Sequence, residues 1–312
     1  MVISAQGRVI ESWGDVGQQI YPRSAIKPLQ ALPFLESGAA DAYQCSDKEV
    51  ALACASHMSQ PHHVQAVRSW LARLDLDAAT LECGAHAPRQ EDTFADALRA
   101  ADTIDRAYNN CSGKHTGFLS TARHLGEPTA GYIGPDHPVQ ERLLAVLGDL
   151  GDADLSATAR GIDGCGIPVI GMPLVAMGLA LARLADPSGL APERARAAGQ
   201  IYRCMTTHPE YVRGHGGFDT MCMTAGQGRF ATKTGAEGVH AGIVPELGLG
   251  IAIKIEDGNG RATDVAMAAL LGYLGLIDET AKPAMSALMA VVIPNAAGDP
   301  TGEIRMAAGW TD

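Results

Sequence analysis

The sequence predicts an α+β fold in which both chain ends build one antiparallel sheet around an inserted helical block. Three observations carry this. Short apolar runs with strand character occupy 1–4 and 8–13 near the start, and 228–233, 239–245 and 249–256 towards the end. Between these runs, most segments show apolar residues at helical spacing. No internal repeat, low-complexity tract or linker composition divides the 312 residues. The sheet part is expected over about 1–22 plus 212–312 and the mainly helical part over about 23–211, forming one compact unit.

In chain order, Val2 and Ile3, a turn at Ala5-Gln6-Gly7, then Val9 and Ile10 read as a strand pair. Leu29, Leu32, Phe34 and Leu35 mark the apolar face of a helix over 27–37. Apolar spacing and Ala/Leu/Glu/Arg content predict further helices over 47–57, 61–73, 92–101, 114–125, 137–149, 172–185, 191–207 and 261–275. HAGIVPELGLGIAIKIEDG reads as a hairpin with its turn near Pro245-Glu246-Leu247-Gly248.

The chain is 46% hydrophobic and 19% charged, a globular composition. Its net charge of -11 and few aromatics argue against nucleic acid or anionic membrane as the main partner. No run of about 18 apolar residues occurs, so no spanning helix is expected. The opening MVISAQGRVIESWGD lacks a signal-peptide pattern, which points to the cytoplasm. Seven widely spaced cysteines suit thiols or metal ligands better than a disulfide framework.

Five polar stretches interrupt the apolar pattern, and polar groups near a core must be paired or used. In PRSAIKPLQALPF, Ser24 and Lys27 are three apart and would share a helix face. A lysine kept neutral by burial or a second cation takes a serine proton. In the structural alternative, Ser24 caps a helix and Lys27 is solvated in its first turn, although a cation there opposes the helix dipole. The second stretch, CASHMSQPHH, puts Ser56 and His57 near the core at a helix end, or simply caps that helix before a turn at Gln60-Pro61. The third, YNNCSGKHTGFL, opens an apolar helix, a place that favours an anion, with Cys111 and Lys114 facing one point. The fourth, GIDGCGIPVIGMP, sets Cys165 between glycines just after Asp163. Cys111 and Cys165 suit Zn²⁺, or are small buried hydrophobes; an ammonium at Lys114 has no lone pair to give. The fifth, ATKTGAEG, carries Lys233-Thr234-Gly235. Ser24/Lys27, Tyr108-Asn109-Asn110 and Lys233-Thr234-Gly235 follow the S-x-x-K, Y-x-N, K-T-G order of penicillin-recognising serine enzymes.

Taken together, SAIKPLQALPF, ACASH, LECGAH, NNCSGKH, DGCGIP and KTGAEG resemble the bacterial asparaginases of the Rhizobium etli type, over about 20–275. The resemblance implies a serine β-lactamase/penicillin-binding-protein/glutaminase-like fold and hydrolysis of L-asparagine to L-aspartate and ammonia. By motif it implies Ser24, Lys27, Ser56 and Lys233 as catalytic residues, and Cys111, Lys114 and Cys165 as Zn²⁺ ligands. Asp163 of DGCG is carried over in the same way, and Arg23, His57, Asn110, His115, Gly235 and Glu237 join it as substrate-binding candidates. It also supports a homodimer, already the commonest assembly. Met58 and Gln60 depart from the family pattern, and His215 in the Gly-rich VRGHGGFDT is expected to rim the site. Two other readings compete: a glutaminase or penicillin-reactive serine amidohydrolase on the same scaffold, and a non-catalytic small-molecule binding protein. Retention of Ser24, Lys27 and Lys233 speaks against the second.

Overall fold

The computed structural model describes residues 1–100 and 103–311. Five strands form the central sheet: β1 (Val2–Ser4), β2 (Val9–Glu11), β3 (Ala231–Thr234), β4 (Val239–Val244) and β5 (Leu249–Lys254). Their order is β2-β1-β5-β4-β3 and every pairing is antiparallel. The two chain ends meet where β1 pairs with β5, Val2 opposite Ile251. The mixed helix and antiparallel sheet make the fold α+β.

Five helices frame the sheet and the site: α1 (Asp47–Ala53), α2 (Ser112–His124), α3 (Leu174–Ala185), α4 (Phe218–Gly226) and α5 (Gly260–Tyr273). The strand alternation divides the core. Ile3, Ala241, Ile243 and Ala252 join the apolar cluster that contains α3, while Val2, Leu249, Ile251 and Ile253 join the one beneath α5. Both faces are covered, so every residue of β4 is buried. Among the described residues no helix is long and apolar enough to cross a membrane.

The expected strands all form. The expected helix over 27–37 is instead a 3-10 turn, Arg23–Ile26, followed by two short helices, Lys27–Gln30 and Leu32–Glu36. Pro28 and Pro33 each stand in the first turn of their helix, where a missing N–H is harmless, and so divide the run. Residues 172–173 pair as a strand with Gln19–Ile20 before α3 begins. Glu91–Arg99 is helical as expected, while the end of the expected 92–101 segment lies outside the described residues. The helices α4 and Lys282–Met289 and the hairpin Ala290–Pro294/Pro300–Arg305 were not expected from the sequence.

Candidate active site

Three lysines lie in the interior: Lys27 is 0% exposed, Lys114 2% and Lys233 1%. Lysine is almost never fully buried without a partner. The solvated-lysine reading of the opening motif is therefore overturned. Ser24 caps no helix either, because no side chain caps the 3-10 turn or the helix after it. In a 3-10 turn, side chains three apart eclipse. Ser24 and Lys27 thus rise on one face, the Lys27 N–H bonding back to Ser24 O.

The Lys27 amine reaches Ser56. Its Nζ lies 3.0 Å from Ser56 Oγ and 3.2 Å from Cys111 Sγ, and it donates to Ala55 O. Lys233, on β3, donates to the same Ser56 Oγ from the other side at 3.0 Å and to Thr234 O at 2.5 Å. Among the described residues no hydrogen bond joins Lys27 to Ser24. Burial lowers the pKa of both amines. Lys233 falls to about 7 because burial and the neighbouring Lys27 outweigh the attraction of Asp219.

Ser56 is held by the backbone around it. α1 opens with a capping box of Ser46 and Glu49 and ends at Ala53, so Ser56 stands beyond the helix. Its N–H donates to Val212 O, and the next N–H, of His57, donates to Asn110 O. The segment is thereby strung between the short helix Pro209–Val212 and the turn before α2. Asn109 makes that turn: its Oδ1 accepts the Cys111 N–H at 2.8 Å and its Nδ2 donates to Cys83 O at 2.7 Å. Gly113 then lets α2 lie against α1, since a Cβ there would fall 2.4 Å from Leu52 O.

Ser24 and Ser56 line one cavity of about 200 Å³ with Arg23, Asn110, Asp163 and Gly235. Gly235 allows close approach; a Cβ would meet Ala25 N at 3.0 Å and Pro22 O at 3.1 Å. Arg23 adopts a left-handed φ of 51° and pairs with Asp163 at 2.8 Å and Glu237 at 2.5 Å. Burial opposes the charge of Asp163, but Lys114 and Arg23 hold its pKa below the usual carboxylate value. Glu237 therefore reaches the site through Arg23 and does not line the cavity.

His57 and His115 do not line it either. His57 Nε2 lies 2.8 Å from Ser112 Oγ and its Nδ1 accepts the Ser59 N–H, which makes it a buried clasp between loops. His115 Nδ1 meets Tyr132 Oη at 2.7 Å, while its Nε2 has no partner among the described residues. His215 lines a separate cleft with Gln60 and His62, so it is not at the rim of this cavity.

Cys111, Lys114 and Cys165 adjoin the cavity floor, and Lys114 Nζ lies 3.2 Å from Cys165 Sγ. A hydrogen bond from Cys165, aided by Lys27 and Lys114, pulls the Cys111 thiol well below its ordinary pKa despite burial. The pKa of Lys114 is raised, because the two cysteines and Asp163 outweigh its burial. Among the described residues no three His, Cys, Asp or Glu side chains are arranged to hold a metal. The donors here are two thiols and an amine, a set that could hold a thiophilic cation such as Zn²⁺ with both thiols deprotonated and Lys114 neutral.

Sequence reasoning missed a second layer. Asp219, on α4 and wholly buried, accepts from Thr232 Oγ1 at 3.0 Å and from the Thr234 N–H at 3.0 Å. Its Oδ1 also lies 3.1 Å from His240 Nε2. Burial opposes this charge, but His240, Lys233 and Arg213 keep the carboxyl far below its usual pKa. Asp219 thus braces both neighbours of Lys233. Its signal in the sequence was an acid at a helix start, in GGFDT. Arg213, whose Nη1 donates to Ser56 O at 3.0 Å, was overlooked beside His215.

A buried serine between two amines, one of them titrating near neutrality, is equipped to move a proton beside a small polar cavity. No curated protein matches the chain. A family model described as L-asparaginase II matches residues 1–306, and the chain belongs to that family.

Proposed function

We propose that this protein hydrolyses L-asparagine to L-aspartate and ammonia through a serine ester. Family membership supports an asparaginase-type amidohydrolase. The observation that carries the mechanism is the pair of buried amines on Ser56 Oγ, beside Ser24 in one cavity. Drug-sized ligands occupy pockets of roughly 300–1,000 Å³. The smaller volume of about 200 Å³ suits a free amino acid better than a penicillin.

In this reading Ser24 Oγ attacks the side-chain carboxamide carbon, and its proton passes to neutral Lys27. With Lys27 and Lys233 both directed at Ser56 Oγ, the Ser56 hydroxyl hands a proton to the leaving nitrogen. The C–N bond breaks, ammonia departs, and an aspartyl ester remains on Ser24. Water then cleaves the ester. The Ser24 N–H, at the start of its turn, stabilises the oxyanion. Asp163 and Glu237, together more negative than Arg23 neutralises, favour the substrate ammonium. Asn110 and Gly235 shape the same cavity. His57 and His115 support the site from behind.

Zn²⁺ belongs to this reading, held by Cys111, Lys114 and Cys165. When bound there, it would supply positive charge beside the cavity. The fold is that of the serine β-lactamases and glutaminases, supported by the ordered motifs and the sheet built from both termini; the protein is a homodimer, which the resemblance supports, in the cytoplasm, which its free cysteines suit. Two hydrogen bonds favour a second reading of the chemistry, in which Ser56 itself attacks.

The test is ammonia release from L-asparagine and L-glutamine, alongside labelling by a fluorescent penicillin. Release from L-asparagine without labelling is expected. Release mainly from L-glutamine, or stable labelling, replaces the substrate. No release from either amide in folded, zinc-loaded protein overturns the reading.

A further inference from the structure

The cavity is electrically lopsided. Arg23 is saturated by two carboxylates, Asp163 and Glu237. Arg213 on the same cavity has no such partner: among the described residues no acidic side chain forms an ion pair with it. Asp219 and Asp264 are carboxylates whose charge it feels, but the oxygens of Asp219 are taken by Thr232, Thr234 and His240, and among the described residues neither acid forms an ion pair with Arg213. One Arg213 nitrogen is engaged by Ser56 O at 3.0 Å, which leaves further donors of the guanidinium fork for a ligand.

The position is also fixed. Val212 O accepts the Ser56 N–H at 3.0 Å while Arg213 donates to Ser56 O, so two reciprocal hydrogen bonds lock residues 212–213 to Ser56. A cation held in register with a reacting hydroxyl measures the distance between a substrate's charge and its scissile bond. An unpaired guanidinium fork facing a small polar cavity matches a carboxylate in geometry and charge.

We propose that Arg213 is the specificity-determining residue that receives the α-carboxylate of the substrate. This rests on the amidohydrolase reading above and deepens it: the site selects free amino acids and rejects amides whose α-carboxyl is blocked, as within a peptide.

The experiment compares kcat/KM for ammonia release from L-asparagine and from L-asparagine α-N-methylamide, whose only primary amide is the side chain. Wild type should favour L-asparagine by at least about tenfold, the scale of one charge-assisted hydrogen bond. Arg213→Gln should raise KM for L-asparagine, lower kcat/KM for L-asparagine several-fold more than for the blocked substrate and bring the ratio close to one. Arg213→Lys, which keeps the charge and loses the fork, should fall between. A variant that lowers both substrates equally makes Arg213 a clamp on Ser56 only and overturns the inference. A wild-type ratio near one overturns it even if the Gln variant fails to fold. Absence of ammonia from both substrates in wild type instead marks failure of the amidohydrolase reading itself.

Discussion

Lys27 Nζ lies 3.0 Å from Ser56 Oγ, so the lysine of the opening motif reaches a serine on another segment, while among the described residues no hydrogen bond joins it to Ser24 in its own turn. Lys233 completes the arrangement from the sheet side at the same distance. Two ammonium ions on one buried oxygen repel each other, and burial penalises both. Burial and mutual repulsion thus lower both pKa values, Lys233 to about 7, which favours a neutral amine able to accept a proton.

Removal of Lys27 tests that role. Lys27→Met should lower kcat by about 10²–10⁴-fold, the usual worth of a general base. The methionine fills the buried channel, so circular dichroism should match wild type. Activity near wild type would remove the general-base assignment.

Stability should fall as the solution is acidified below about pH 6.5, the ordinary histidine pKa. His57 and His115 are held neutral chiefly by burial, and burial with the adjacent His62 lowers His63 to about 3. Their folded pKa values lie below the unfolded one, so on acidification the unfolded chain binds protons first and gains. Asp264, raised to about 6 by burial, works in the opposite direction but is a single group. The melting temperature should fall from pH 8 to pH 5, gently at first, where the buried Lys233 resists a proton that the unfolded chain takes up, and more steeply below about pH 6.5. His63→Asn should flatten the drop, and an unchanged slope would remove His63 from the account.

The Asp219 carboxylate braces Thr232 and Thr234 on either side of Lys233. Asp219→Asn should cost about 1–3 kcal/mol, the penalty for leaving buried donors poorly paired. Denaturant unfolding measures that loss. The variant also removes the charge that holds the Lys233 pKa up, so any limb of the pH–activity profile set by Lys233 should move to lower pH. A shift to higher pH would contradict this.

Chelation should act on binding more than on turnover if, as proposed, the Ser-Lys groups supply the proton transfers. Loss of Zn²⁺, or Cys165→Ser, should raise KM several-fold with a smaller change in kcat. A collapse of kcat at saturating substrate would give the metal a chemical role.

Much of the fold was legible because its signals are local. The five strands and the turn ending at Gly248 follow from alternation and turn residues. The first helix did not, because periodicity is blind to backbone breaks, and two prolines divide one apolar face into three short pieces. The motifs brought Ser24, Ser56, Lys233, Asp163 and both cysteines to one place in the fold. Spacing did not reveal which lysine meets which serine, since that depends on Val212 and Asn110 pinning residues 56–57. Asp219 and Arg213 were hidden because one helix-start acid or loop arginine looks like any other until the chain folds.

The most direct measurement is to quench the protein during turnover of L-asparagine and locate the covalent adduct by peptide mass spectrometry. The account predicts an aspartyl ester on Ser24, absent in Ser24→Ala, and accumulating in a variant slow to release it. An ester on Ser56, or ammonia released with no serine modified under any quench, would contradict it.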